Sequence, residues 1–88
     1  MELTYKNEKL RKLCESQNFQ KELIKKYGVE VAKKLPKRIK ELKAFNSLAD
    51  VPSSPPYRRH KLQGDRYGEY AINITSQYRL IFKQLDNN

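Results

Sequence analysis

Gly68-Glu69-Tyr70-Ala71-Ile72-Asn73-Ile74-Thr75-Ser76-Gln77-Tyr78-Arg79-Leu80-Ile81-Phe82 is the stretch whose reading decides the fold. Tyr70, Ile72 and Ile74 alternate with Glu69, Ala71 and Asn73; Tyr78, Leu80 and Phe82 alternate with Arg79, Ile81 and Lys83. A period of two is the mark of a strand with one buried face, and the short loop Thr75 to Gln77 between the runs makes them a hairpin. The register that follows sets Ile74 opposite Tyr78, Ile72 opposite Leu80 and Tyr70 opposite Phe82, so the apolar sets share a face. The other face carries Glu69, Asn73, Arg79 and Lys83, with only Ala71 and Ile81 between them. That face is expected to stay open.

Working back, Gly64-Asp65-Arg66-Tyr67-Gly68 reads as a turn, and Arg59 to Gln63 as a short polar strand leading into it. This segment holds His60, the single histidine of the chain. Lys61 and Arg66 are expected near it, at the edge strand and turn. Asn46 to Pro56, with Pro52, Pro55 and Pro56, is a linker from helix to sheet.

Before the linker the period is helical. Asn7 is a candidate N-cap for a helix through Leu10, Leu13 and Cys14, and Ser16-Gln17-Asn18 loosens that helix. Phe19, Leu23, Ile24 and Tyr27 then resume the stripe as far as Gly28, a cap or bend. Val31, Leu35, Ile39 and Leu42 keep one phase across Pro36, which predicts a single kinked helix. Lys33, Lys34, Lys37, Arg38, Lys40 and Lys43 occupy its other sides. They read as a solvated face, with a polyanion-binding ridge as the alternative. At the start of the chain, Leu3 and Tyr5 alternate with Glu2, Thr4 and Lys6, which predicts an opening strand. A strand, helices and then an antiparallel meander make an α+β domain, with the helices on one face of a small sheet.

Eighty-eight residues are enough for one domain with a thin core. A formal charge of +9, from 19 Lys and Arg against 10 Asp and Glu, favours a polyanion or an acidic partner. One cysteine excludes an internal disulfide and suits a reducing compartment. One cysteine and one histidine do not assemble an ordinary zinc site, and no metal or cofactor is expected. With neither a long apolar run nor a signal-peptide core near Met1, the reading is a soluble cytoplasmic protein with no membrane partner.

A basic surface with an imidazole, arginines and phenols fits the handling of a phosphodiester. Arginine matches phosphate oxygens bidentately and stabilises charge that develops on them. RNA brings its own nucleophile, the 2′-hydroxyl, so cleavage without a metal needs an acid or base and a cationic clamp. His60 is the candidate for proton transfer. Arg58 and Arg59 would add salt-dependent affinity, and Tyr57 and Tyr67, near the loops, are stacking candidates. On composition alone the bland alternative, an ordinary surface histidine, stands beside this reading.

The run His60-Lys61-Leu62-Gln63-Gly64-Asp65-Arg66, with Gly68-Glu69-Tyr70 and Tyr78-Arg79-Leu80-Ile81-Phe82 after it, resembles the HigB branch of the RelE/ParE toxin superfamily. Tyr27-Gly28 and Ala32-Lys33-Lys34-Leu35 are similar too, so the resemblance covers nearly the whole chain. It implies a RelE-like β-α-α-β-β-β fold and a toxin of a type II toxin–antitoxin system that cuts mRNA on the ribosome. The implied partner is a cognate antitoxin protein. The family's motif histidine falls on His60, its neighbouring cations on Lys61 and Arg66, and the arginine of its Tyr-Arg-Leu strand on Arg79. Lys83 joins the RNA-binding set from its place on the open face. Family members continue into a further strand with additional catalytic residues, whereas this sequence stops at Asn88, so a shortened form lacking a C-terminal strand is one expectation. The competing reading is a non-catalytic binding protein, either a ParE-like toxin directed at DNA gyrase or a short form that binds only antitoxin or RNA.

Overall fold

The structure, a computed structural model, describes residues 1–85. It is an α+β arrangement of three helices, α1 (Glu8–Glu15), α2 (Gln20–Tyr27) and α3 (Val29–Ala44), followed by three strands, β1 (His60–Lys61), β2 (Glu69–Asn73) and β3 (Arg79–Lys83). The chain divides into two compact units, one over Met1–Asn46 and one from Ser47 onward. The division falls at the start of the stretch rich in proline and serine. Among the described residues no helix is long and apolar enough to cross a membrane.

In the helical unit, Asn7 caps α1 as its sequence indicates, its side-chain oxygen accepting from the Leu10 amide at 2.8 Å. Ser16 ends α1 and caps a 3-10 turn over Gln17–Phe19 that leads into α2. Gly28, at φ +97°, lies between α2 and α3 and accepts the sharp change of direction that a side chain would resist. Leu13, Cys14, Leu23, Val31, Ala32, Leu35, Ile39 and Leu42 are buried. Burying a side chain of the Leu or Ile class contributes about 1.5–3 kcal/mol, so this stripe is the main source of the unit's stability.

α3 runs unbroken through Pro36. Proline has no N–H, so the carbonyl four residues back, that of Ala32, loses its intrahelical donor. The Gln20 side-chain amide donates to that carbonyl at 3.1 Å. The helix survives its proline because a neighbouring segment supplies the missing bond.

Two expectations change here. Residues 1–6 form no strand, although Met1, Leu3 and Tyr5 are half-buried and alternate with exposed Glu2, Thr4 and Lys6. A strand needs a ladder of backbone partners; this segment instead sends its α-amino group to the carbonyls of Lys43 and Phe45, at 2.7 and 2.5 Å, beyond the middle of α3. The opening strand of the β-α-α-β-β-β order is therefore absent among the described residues. Arg38 is not on the solvated side of α3: it is buried at 8% exposure, with its guanidinium on Glu41 at 2.9 Å. Of the remaining cations, Lys33, Lys37, Lys40 and Lys43 are exposed and Lys34 is half-buried.

In the second unit the sheet has the order β1-β2-β3, antiparallel throughout. The β2–β3 register pairs Tyr70 with Phe82 and Ile72 with Leu80, as the alternation requires, and the Ile74 amide donates to the Tyr78 carbonyl at 3.0 Å. The hydroxyl of buried Thr75 fixes the loop by accepting from the amides of Gln77 and Tyr78 at 3.2 and 3.1 Å. Val51, Ala71, Ile72 and Ile74 are buried, and the Tyr70 and Phe82 rings stack with centroids 6.0 Å apart. β1 is shorter than the strand expected over Arg59 to Gln63, and a 3-10 turn over Gly64–Arg66 leads from it toward β2.

Candidate functional site

The candidate residues all lie in the second unit, and the register assigns each to a face. His60 pairs with Ala71, which pairs with Ile81, so the three form one row across the sheet. One step along, Asn73 pairs with Arg79; one step the other way, Glu69 pairs with Lys83. His60, Arg79 and Lys83 are exposed. With strands about 4.8 Å apart, His60 sits about 10 Å across the sheet from Ile81, midway between Arg79 and Lys83, and only the small side chain of Ala71 stands between. The face expected to stay open is open only in part: His60, Arg79, Ile81 and Lys83 on the outer strands are exposed, but on β2 Ala71 is fully buried and Glu69 and Asn73 are half-buried, because the longer side chains on either side close over the small alanine.

His60 has a defined orientation. Its Nδ1 lies 2.8 Å from the Arg58 carbonyl oxygen. A carbonyl only accepts, so Nδ1 carries the hydrogen, and in the neutral ring Nε2 then holds the free lone pair. Arg58 reaches this position with φ +51°, a left-handed backbone uncommon for a side chain of its size. The loop holding it is closed by hydrogen bonds from the Arg58 amide to Ser54 and from the Arg59 amide to Pro52, at 3.0 and 3.1 Å. The Asn73 amide donates to the Tyr57 carbonyl at 2.7 Å, tying the same loop to β2.

The other site residues scatter. Lys61 pairs with Tyr70, and period two turns it to the face opposite His60. Arg59 is half-buried and donates from Nε to the Val51 carbonyl at 2.9 Å, a structural bond. Arg66 is exposed in the turn and paired with Glu69 at 3.1 Å. Tyr67 is 84% exposed, an open ring face, whereas Tyr57 is half-buried. A shallow hollow of about 230 Å³ is lined by Arg59, Tyr70 and Gln84 with Ser47, Leu48 and Ala49; it includes neither His60 nor Arg79.

Sequence reasoning placed His60, Arg79 and Lys83 together and missed two features. The separation of Lys61 from His60 follows from the same alternation that set the hairpin register and was legible there. The Arg58 carbonyl as the partner of His60 was not, because it depends on a left-handed residue with no glycine or asparagine to announce it. Elsewhere, burial pushes the Cys14 thiol up to about 11, so it stays protonated and unreactive. Among the described residues no three His, Cys, Asp or Glu side chains gather to hold a metal ion.

No protein-family model matches the chain, and no curated protein matches it.

Proposed function

We propose that the protein is a toxin of a type II toxin–antitoxin system, acting as a metal-independent endoribonuclease on mRNA at the ribosome, with a RelE-like fold and an antitoxin as its partner. The observation that supports this reading is His60 itself, an exposed residue whose Nδ1–H is held by the Arg58 carbonyl, with Arg79 and Lys83 on the same face of the sheet about 10 Å across it. In this reaction Nε2 takes the proton of a 2′-hydroxyl and the 2′-oxygen attacks the adjacent phosphorus. The bond from phosphorus to the 5′-oxygen breaks, leaving a 2′,3′-cyclic phosphate, and the imidazolium returns its proton to the departing 5′-oxygen. Arg79 and Lys83 hold the phosphate oxygens as charge builds on them, and Tyr67 offers a stacking surface. Arg66, paired with Glu69, contributes charge from the turn.

The test is expression of the chain in growing bacteria, with mRNA followed by primer extension. Cleavage in translated messages is expected, and His60→Ala should reduce it by about 10²–10⁴-fold, the usual contribution of a positioned acid or base. Unchanged cleavage and growth arrest in a His60→Ala, Arg79→Ala double variant sinks the nuclease reading. Growth arrest with intact mRNA and a DNA-damage response points instead to the gyrase-directed alternative. Tight RNA binding without cleavage points to the binding-only form.

A further inference from the structure

The hydrogen-bond phase of the hairpin identifies what β3 presents to its surroundings. The Ile74 amide bonds to the Tyr78 carbonyl, so this is a hydrogen-bonded pair. In an antiparallel ladder such pairs alternate, which makes Ile72–Leu80 and Tyr70–Phe82 the next two. The other side of β2 agrees: Leu62 donates to the Glu69 carbonyl and Asn73 to the Tyr57 carbonyl, so Glu69 and Asn73 bond away from β3. The N–H and C=O groups of Arg79, Ile81 and Lys83 therefore point outward from β2. Among the described residues no strand pairs with that edge.

The same three residues carry the exposed side chains. Ile81 is 39% exposed between Arg79 and Lys83, and neither cation has a carboxylate partner among the described residues. A second copy of the chain is a poor occupant. Antiparallel pairing about Ile81 sets Arg79 opposite Lys83 twice, parallel in-register pairing sets each cation opposite itself, and like charges directly opposite are destabilising. An incoming strand gains instead by carrying a carboxylate opposite Arg79, an apolar residue opposite Ile81 and a carboxylate opposite Lys83.

We propose that the outer edge of β3 is a docking site for an extended acidic peptide segment with the alternating pattern acidic, any, apolar, any, acidic, which adds to the sheet as a fourth strand. Main-chain bonds to Arg79, Ile81 and Lys83 supply affinity, and the two cations set the register. The inference stands apart from RNA cleavage, since its geometry does not involve His60, but it draws on Arg79 and Lys83 and so makes the bound strand a competitor of RNA.

The probe is a fluorescent peptide, acetyl-Thr-Glu-Thr-Val-Thr-Glu-Thr-amide, titrated into the full chain without RNA. Saturable binding is expected, with the amides of Arg79, Ile81 and Lys83 passing from fast to slow hydrogen exchange while those of Leu80 and Phe82, already in the ladder, change little. N-methylation of the peptide's valine keeps its charge and removes one pairing donor, and should weaken binding about tenfold. A peptide with lysine for both glutamates should not bind wild type, and an Arg79→Glu, Lys83→Glu variant should prefer it. Equal affinity for the N-methylated peptide would reduce the contact to charge alone and overturn the proposal. So would protection at residues outside β3, absence of binding, or a concentration-dependent dimer that pairs through these amides.

Discussion

The two units treat their polar groups in opposite ways. Residues 1–46 hold most of the charge excess, thirteen Lys and Arg against six Asp and Glu, yet much of it is engaged within the unit. Arg11 pairs with Glu8, Arg38 with Glu41, Lys43 with Glu15 and Lys34 with Glu30, and Lys12 and Lys26 lie over the rings of Phe19 and Tyr27. The sheet unit is nearly balanced in charge, but of its cations only Arg66 has a carboxylate partner among the described residues. Net charge thus directs attention to the helices, while the strand pattern directs it to β3. The second is the better guide, because alternation determines which side chains share a face and composition does not.

The largest effect expected from this contrast is between two isoleucines of one hairpin. Ile72 is fully buried and Ile81 is 39% exposed on the other face. Ile72→Ala should cost about 2–5 kcal/mol of unfolding free energy, and Ile81→Ala no more than about 0.5 kcal/mol. Urea denaturation measures both. A comparable loss at the two positions would show that the second face is covered, and with it the candidate site.

Next comes the bond that keeps α3 continuous. Gln20→Ala leaves the Ala32 carbonyl without the donor that Pro36 fails to provide, and should cost about 1–3 kcal/mol. In a Pro36→Ala background the residue at 36 recovers an N–H for that carbonyl, so the same Gln20→Ala change should cost markedly less. Additive costs in the double-mutant cycle would separate the glutamine from the proline and leave α3 without this account.

In the sheet unit, Arg58→Gly separates charge from geometry at the candidate site. The carbonyl that orients His60 belongs to the main chain, and glycine takes φ +51° without strain, so the imidazole should stay in place. Loss of the guanidinium should lower RNA affinity modestly and reduce the salt dependence by about 0.7 in the log–log slope if it contacts one phosphate of a single strand. An unchanged slope with weaker cleavage would mean that the side chain itself positions His60.

Much of this was readable from local pattern. The N-cap at Asn7, the break at Ser16, the bend at Gly28 and the Tyr70–Phe82 register each depend on residues close in sequence or on strict alternation. The opening strand failed because alternation at Leu3 and Tyr5 records burial, not the partner that makes a strand. Arg38 was misplaced because a guanidinium is buried when a carboxylate one turn away is positioned to meet it, and Glu41 is. The site divides the same way: face assignment came from period two, whereas the Arg58 backbone and the Arg59–Val51 bond arise from loop geometry that no periodicity encodes.

The smallest effect expected is in the pH dependence of the helical unit, where the internal pairing should still be detectable. The Lys43 ammonium, with the Tyr5 hydroxyl adjacent, holds the Glu15 carboxyl below its usual range. On acidification the unfolded chain takes up that proton before the folded one, so stability present above the ordinary carboxylate range is lost as pH falls through the folded value. Tyr5 behaves oppositely: burial first, and then the neighbouring Glu15 carboxylate, raise its pKa. As pH rises past the ordinary tyrosine range the unfolded chain releases the proton first, and stability falls on the alkaline side. Glu15→Gln should flatten the acid limb of thermal stability against pH, and Tyr5→Phe the alkaline limb. Because Glu15 is solvent-exposed, its contribution is screened and should shrink further in high salt. An acid limb that is unaltered by Glu15→Gln at low salt would mean that the Lys43 pair is decorative and that the helical unit is held by its apolar stripe alone.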